Sequence, residues 1–357
     1  MKNNWDQQVV AEAYSDAIGD FGDFWRQALV NAVALNYSRS LAVFLSQKEQ
    51  NLTDLDRRPC HVGMADQRKS LGSRVSIEEL VAWHRQQQEQ GVKEHWLTVA
   101  DPETGGTRPL RILDLGCGEG YLGRWFSSMG AQYWGVDSSA KLLALAKKKN
   151  KSGKKLIKGT PRPVFIECDL DGVSFTELKA AWLTEQIEPP ELIVVTIVLD
   201  HLDDPNPLMT WLRKLLSNNH INSRLLVFSL NIDYFFDPER TKFESDVEGP
   251  QGRVISMNAT IDSAKQQVEV RIRPADTMER IFRDCGFRVV QYAPLHFTHG
   301  MQPKNMERSV YGVPPFNLFL LAPYPVSATL GEKREFGEAL LSGSLPSPLA
   351  KIGRAHV

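Results

Sequence analysis

The segment Pro109–Gly123, Pro-Leu-Arg-Ile-Leu-Asp-Leu-Gly-Cys-Gly-Glu-Gly-Tyr-Leu-Gly, narrows the possible folds more than any other part of the chain. Its apolar opening, Leu110, Ile112, Leu113 and Leu115, is short and bounded by Pro109 and Gly116, the pattern of a buried strand rather than a helix. Gly116, Gly118 and Gly120 then remove side chains where the backbone must bend and approach a ligand. The apolar and aromatic residues from Tyr121 to Phe126 begin a helix whose N-terminus faces that ligand. Strand, glycine loop and helix in this order open a nucleotide-binding α/β sheet.

The spacing is G-x-G-x-G after the acid Asp114, not the G-x-G-x-x-G of pyrophosphate binders, although Gly123 leaves the second pattern readable. A second strand, Gln132–Val136, ends in Asp137, about 20 residues beyond the first glycine, where a carboxylate can accept both hydroxyls of a ribose. Together these features resemble the class I S-adenosylmethionine-dependent methyltransferases, whose first motif has the form h-h-D-h-G-x-G-x-G and whose second strand ends in an acid. The resemblance implies an α/β fold: a Rossmann-like seven-stranded, mostly parallel sheet with an antiparallel last strand, helices on both faces and an N-terminal helical extension. It also implies S-adenosyl-L-methionine as cofactor.

Carried over residue by residue, the resemblance puts Asp114 and the backbone of Gly116, Cys117, Gly118 and Gly120 at the methionine end of the cofactor, and Asp137 with Ser138 at the ribose. A third strand, Val164–Cys168, runs into Asp169-Leu170, the implied contacts to adenine, with Asp171 as a nearby competitor. The fourth strand, Leu192–Leu199, is apolar on both faces, as a central parallel strand is. It leads through Ile197, counted with the cofactor set, into Asp200-His201-Leu202-Asp203-Asp204-Pro205, which looks like the family's V-L-x-H-L-x-D-P motif. Asp200 and His201 are therefore the candidate catalytic residues at the mouth of the pocket: a histidine there serves as a general base near neutral pH or ties strand to helix. In the N-terminal helices, Tyr14, Asp23, Trp25 and Arg26 match in type an element that covers the cofactor in the family, which adds Tyr14 and Arg26 to the set. An ordinary amphipathic helix pair with Trp25 in the core accounts for the same residues.

The remainder of the chain sets limits. A chain of 357 residues holds one large α/β domain plus an extension. Net charge is -1 and the isoelectric point near 6.7, with no global pull toward nucleic acid or an anionic membrane. The lysines between Lys147 and Lys158 lack the interleaved aromatics of a strand-binding surface and suit a solvated helix end. Cys60, Cys117, Cys168 and Cys285 are far apart with no histidine at ligand spacing, so no metal site is expected, and a reducing, cytoplasmic setting is. No apolar run approaches membrane-spanning length.

The expected organisation is an N-terminal cap and insertion over residues 1–108, with a helix from Ser76 to Gln90 and a linker over Asp101–Thr107; a methyltransferase domain over 109–325; and a tail without order over 326–357. Residues 352–357 resemble a translated sequencing-adapter read and are set aside. Within the domain, a helix from Ser139 buries Leu142, Leu143, Leu145 and Ala146. Val254–Ile261 and Gln267–Ile272 form an antiparallel hairpin inside a lid near 232–273, where Tyr234, Phe235, Phe236 and Phe243 line a pocket or pack beneath the hairpin. Phe287–Tyr292 and Phe316–Ala322 are the last two strands. The expected function is methyl transfer to an oxygen, nitrogen or carbon of a small-molecule substrate, since no N-P-P-Y or D-P-P-Y segment follows strand four to seat a base amine. RNA or protein methylation and a non-catalytic cofactor-binding module are the alternatives, and a dinucleotide oxidoreductase is the rival reading of the glycine loop. No residue pattern assigns an oligomeric state.

Overall fold

A computed structural model describes residues 97–101, 104–151, 161–170, 189–217, 223–231, 246–249, 252–261, 264–295 and 316–324, together with Leu29, Val33, Gln86, Glu89, Gln90, Thr176 and Leu178. In chain order the elements are β1 (Thr98–Ala100), β2 (Thr107–Pro109), β3 (Arg111–Leu115), α1 (Tyr121–Ser128), β4 (Gln132–Asp137), α2 (Ala140–Lys151), β5 (Val164–Glu167) and β6 (Leu192–Thr196). A single 3-10 turn (Val198–Asp200) follows, then α3 (Asn206–Ser217), β7 (Arg224–Leu230), β8 (Asp246–Gly249), β9 (Gly252–Ile261), β10 (Ala264–Ile272), α4 (Ala275–Asp284), β11 (Phe287–Leu295) and β12 (Phe316–Pro323).

The main sheet has the order β11-β12-β7-β6-β3-β4-β5. Its pairs are parallel from β7 to β5, while β12 is antiparallel to both β7 and β11, so six strands share a direction and one opposes them. The chain steps from β3 outward to β4 and β5, then returns to the other flank of β3 with β6 and β7. The C-terminal ends of β3 and β6 therefore flank a topological switch point, the crevice where open α/β sheets bind ligands.

Alternation along the strands distributes the core over both faces of the sheet. Leu113, Leu115, Trp134, Val136, Ile193 and Val195 pack with Leu208, Met209 and Leu212 of α3 and with Met278 and Phe282 of α4. On the opposite face, Tyr133 stacks near Phe126 of α1 and Phe165 of β5. Helices thus cover both faces. At the N-terminal ends of the strands, buried Glu191 receives Arg111 through its backbone amide (2.9 Å) and guanidinium, and Arg108 (2.6 Å). Burial alone would raise the Glu191 carboxyl, but these donors outweigh it and hold it below its ordinary range.

Several boundaries depart from the sequence expectation. Asp101–Thr107 was expected as a linker, yet β1 and β2 form an antiparallel ribbon across it, fastened to the domain by Leu110 N–H to the Leu97 carbonyl (2.8 Å). β6 stops at Thr196 instead of continuing to Leu199, because Ile197 takes a left-handed conformation (φ 61°) and turns the chain. Leu145 is exposed on α2, whose inward stripe is Leu143 and Ala146. The four positions span an arc of about 160° on the helix, and Leu145 lies at the edge of it farthest from Leu143. The hairpin is longer than expected and gains a third strand, β8. Of the expected Ser76–Gln90 helix, Gln86 and Glu89 are helical, and Leu29 and Val33 are helical and buried. Tyr14, Arg26, the remainder of those helices, the aromatics at 234–236 and 243, and residues 326–357 lie outside the described residues.

Candidate active site at the sheet switch point

Asp137, at the end of β4, organises the glycine loop. Its Oδ2 accepts the Gly118 amide (2.8 Å) and its Oδ1 the Ser139 amide (2.9 Å), so one carboxylate joins the loop after β3 to the start of α2. Above it, the Gly116 and Cys117 amides share the Val136 carbonyl (2.8 and 3.0 Å). A carboxylate has about four acceptor sites, so capacity remains for further hydroxyls. Burial raises the Asp137 carboxyl, opposed by the Ser139, Gly118 and Ser138 amides.

Two positions in the loop require glycine for different reasons. At Gly116 (φ 76°) a Cβ would lie 2.5 Å from Val198 Cγ2 and 3.1 Å from the Thr196 carbonyl oxygen, so the loop after β3 presses directly on the chain leaving β6. At Gly118 (φ 53°) nothing among the described residues is nearer than Leu142 Cδ1 at 3.9 Å, leaving room over the backbone. Cys117 contributes backbone only: its thiol packs against Gly135, where a Cβ would be 2.8 Å from the sulfur, and burial pushes that thiol well above its ordinary value.

Asp114 lies below the loop with 1 % of its surface exposed. Tyr133 donates its hydroxyl to Oδ2, while Oδ1 is buried with no hydrogen-bond partner among the described residues. Burial, opposed by the tyrosine and reinforced by nearby Asp137, lifts the carboxyl to about 7. An unpartnered buried carboxylate oxygen, open space at Gly118 and spare acceptor capacity on Asp137 together fit a ligand bearing an ammonium group and a ribose, as S-adenosylmethionine does.

Across the crevice, the turn after β6 carries Asp200 and His201. Asp200 is 1 % exposed, so its carboxyl faces inward rather than standing at an open mouth. Its Oδ2 accepts the Leu230 amide of β7 (3.2 Å), and burial, opposed by that bond and by Arg273, raises it to about 8. The His201 amide closes the turn on the Val198 carbonyl (3.0 Å), and burial lowers the imidazole to about 4, leaving it neutral at physiological pH. Asp169 and Leu170 follow β5 at the same end of the sheet, with Leu170 packed on the core. The structure therefore gathers Asp114, Gly116, Cys117, Gly118, Gly120, Asp137 and Ser138 on one side of the switch point and Ile197, Asp200 and His201 on the other.

Sequence reasoning missed three residues. Tyr133 partners Asp114 from the middle of a strand that reads as plain core. Thr196 ends the apolar run of β6 with a buried hydroxyl that has no partner among the described residues, a lone polar residue that was the available signal. Arg273, just past the hairpin, is 1 % exposed and reaches the turn after β6.

These carboxyls predict a pH profile for folding. Both Asp114 and Asp200 are raised, so between about pH 4 and their folded values the native chain holds protons that the unfolded chain has released, and stability falls as pH rises through that window. His201 has the opposite sign: below about pH 6.5 the unfolded imidazole binds a proton that the native one refuses, which offsets part of the gain at low pH. Thermal unfolding of the ligand-free protein should therefore show a melting temperature that drops from about pH 5 to about pH 8, more steeply above 6.5. Replacing Asp114 and Asp200 together by Asn should flatten that drop, and an unchanged slope would contradict the burial assigned to them.

The chain matches a family model described as a methyltransferase domain over residues 83–292. Among solved structures it is similar to an S-adenosylmethionine-dependent methyltransferase from Mesorhizobium loti (18% identity, 69% of this chain and 99% of that one, TM-score 0.42). A second from Methanosarcina mazei (15% identity, 61% and 93%, TM-score 0.45) and a third, described as putative, from Listeria monocytogenes (13% identity, 70% and 99%, TM-score 0.44) are comparable. No curated protein matches the chain.

Proposed function

The chain belongs to the methyltransferase-domain family, and from that premise we propose that it transfers a methyl group from S-adenosylmethionine to a small-molecule acceptor, with the switch-point crevice as its active site. The observation that carries the site assignment is the buried Oδ1 of Asp114, unpartnered among the described residues, beneath a glycine loop that Asp137 holds in place. Asp114 would accept from the ammonium of the methionine end, Asp137 beside Ser138 from the ribose hydroxyls and Asp169 from the adenine amino group, while the Leu170 amide would meet the adenine ring. Tyr14 and Arg26 are proposed to cover the cofactor from the N-terminal helices. Bound there, S-adenosylmethionine supplies a methyl group made electrophilic by its positively charged sulfur.

The protein's own task is then alignment and exclusion of water. The Ile197–His201 turn forms the wall opposite the glycine loop. Its first residue is held left-handed, a strained state for a β-branched side chain that persists only where the surroundings over-determine it. Neutral His201 accepts a proton from an acceptor hydroxyl or amine, although a value near 4 makes it a weak base, so placement carries more of the rate than proton abstraction. Asp200 ties the turn to β7.

Support for a small acceptor comes from near-zero net charge and from the hairpin β9–β10, whose end abuts the turn. Labelled methyl transfer from S-adenosylmethionine into fractionated cell extract tests this without a guess at the acceptor. Label is expected in the low-molecular-weight fraction. Label chiefly in nuclease- or protease-sensitive material would place the acceptor among RNA or proteins, and no transfer beside intact cofactor binding would make the chain a non-catalytic module.

A further inference from the structure

Arg273 is a charged residue with 1 % exposure that forms no ion pair within hydrogen-bond distance among the described residues. Among the described residues its guanidinium donates to backbone carbonyls: Leu199 (2.6 Å) and Arg271 (3.5 Å) from one terminal nitrogen, Leu202 (2.7 Å) and Asp203 (3.1 Å) from the other. Three of these carbonyls belong to the turn that carries Asp200 and His201. That turn is a single 3-10 loop after a left-handed residue, so its last carbonyls have no following helical turn to accept. A buried guanidinium with a planar fork of donors supplies what the missing turn does not.

The residue before Pro274 ends the hairpin, so the same guanidinium fastens β10 to the turn. Beside it, Arg271 pairs with the Asp203 side chain, and Asp200, which the Arg273 charge helps to ionise, holds the turn to β7 from the other side. Hairpin and turn are thereby joined through one buried cation, and turn and β7 through Asp200.

Resting on the functional reading above, we propose that Arg273 is a positioning residue for methyl transfer: it sets the height of the Leu199–Asp203 turn over the crevice and couples that height to the hairpin. It touches neither cofactor nor reacting atoms, so its loss should appear in turnover and not in cofactor affinity. Removing a group that holds reacting partners in line costs about 100-fold in rate for a shift near one ångström.

The test compares Arg273→Met and Arg273→Lys with Arg213→Met. Arg213 performs the same kind of carbonyl clamping, on Gly286 (3.0 Å) and Tyr324, at the far end of the sheet. Each protein is titrated with S-adenosylhomocysteine and assayed for label transfer from S-adenosylmethionine into the extract fraction that the wild type methylates. For Arg273→Met the expected result is a kcat lower by about 100-fold with KM for S-adenosylmethionine and the Kd for S-adenosylhomocysteine within about threefold of wild type. Arg273→Lys, which keeps the charge but not the fork, should fall between, and it decides the matter if the methionine variant does not fold. Arg213→Met should lower the melting temperature and leave kcat alone. An Arg273 variant with wild-type kcat, a loss confined to cofactor binding, or an equal kcat loss in Arg213→Met overturns the inference. A wild type that transfers no label overturns the functional reading instead.

Discussion

Asp137→Ala is expected to weaken S-adenosylhomocysteine binding by about 10³-fold, since hydrogen bonds to a charged group are worth about 1.5–3 kcal/mol each and the substitution removes those to the ribose hydroxyls together with the tie that shapes the glycine loop. The loop effect is separable from the ribose effect. Asn in place of Asp137 retains one acceptor oxygen for the Gly118 or Ser139 amide, so it should bind more tightly than the alanine variant and more weakly than wild type. Folding stability should change less than affinity, because the lost amide bonds are offset by relief from burying a carboxylate that its surroundings already disfavour. Calorimetric titration beside thermal unfolding reads both quantities. Equal losses in stability and affinity would mean that Asp137 only holds the fold.

Gly116→Ala should be nearly as damaging by a different route. The added methyl would sit 2.5 Å from Val198 Cγ2 and 3.1 Å from the Thr196 carbonyl, in a backbone conformation (φ 76°) that costs an L-residue about 1–2 kcal/mol before any contact is counted. Either the glycine loop or the turn after β6 must move, and both walls of the crevice belong to the proposed site. Cofactor affinity should fall by about 100-fold and turnover further, since misplacement of a reacting partner compounds the loss. Adding Val198→Ala relieves the closest contact and leaves the backbone strain, so the double variant should recover part of the affinity but not all of it. Full recovery would show that steric pressure from Val198 is the whole effect, and no recovery would locate the damage in the backbone.

The sheet was legible because its signals are local. Gln132 to Val136 and Phe316 to Ala322 are short, mainly apolar runs, and both appear at those places, with Asp137 added to the first and Pro323 to the second. The family match bears out the methyltransferase expectation, and the single reversed strand, β12, stands where the family places it. What escaped depends on information that no window of sequence contains. The apolar run Leu192–Leu199 carries no mark of the left-handed turn at Ile197, after which Val198 closes on Gly116 across the switch point. Asp200 read as a residue at the pocket mouth, yet its carboxyl is drawn inward by a β7 amide 30 residues away. Arg273 carries no mark in the sequence beyond its charge just past the hairpin. Its meaning appears only when the turn carbonyls some 70 positions earlier are brought to it. Tyr133 likewise reads as strand core until Asp114 lies opposite its hydroxyl.

The central claim is that the crevice between β3 and β6 holds S-adenosylmethionine through Asp114, the glycine loop and Asp137. Equilibrium titration of the intact protein with S-adenosylmethionine, S-adenosylhomocysteine and a nicotinamide dinucleotide tests it most directly. One-to-one binding of the first two, weakened by Asp137→Ala, and none of the third is expected. Binding of the dinucleotide alone, or cofactor binding indifferent to Asp137, would contradict it.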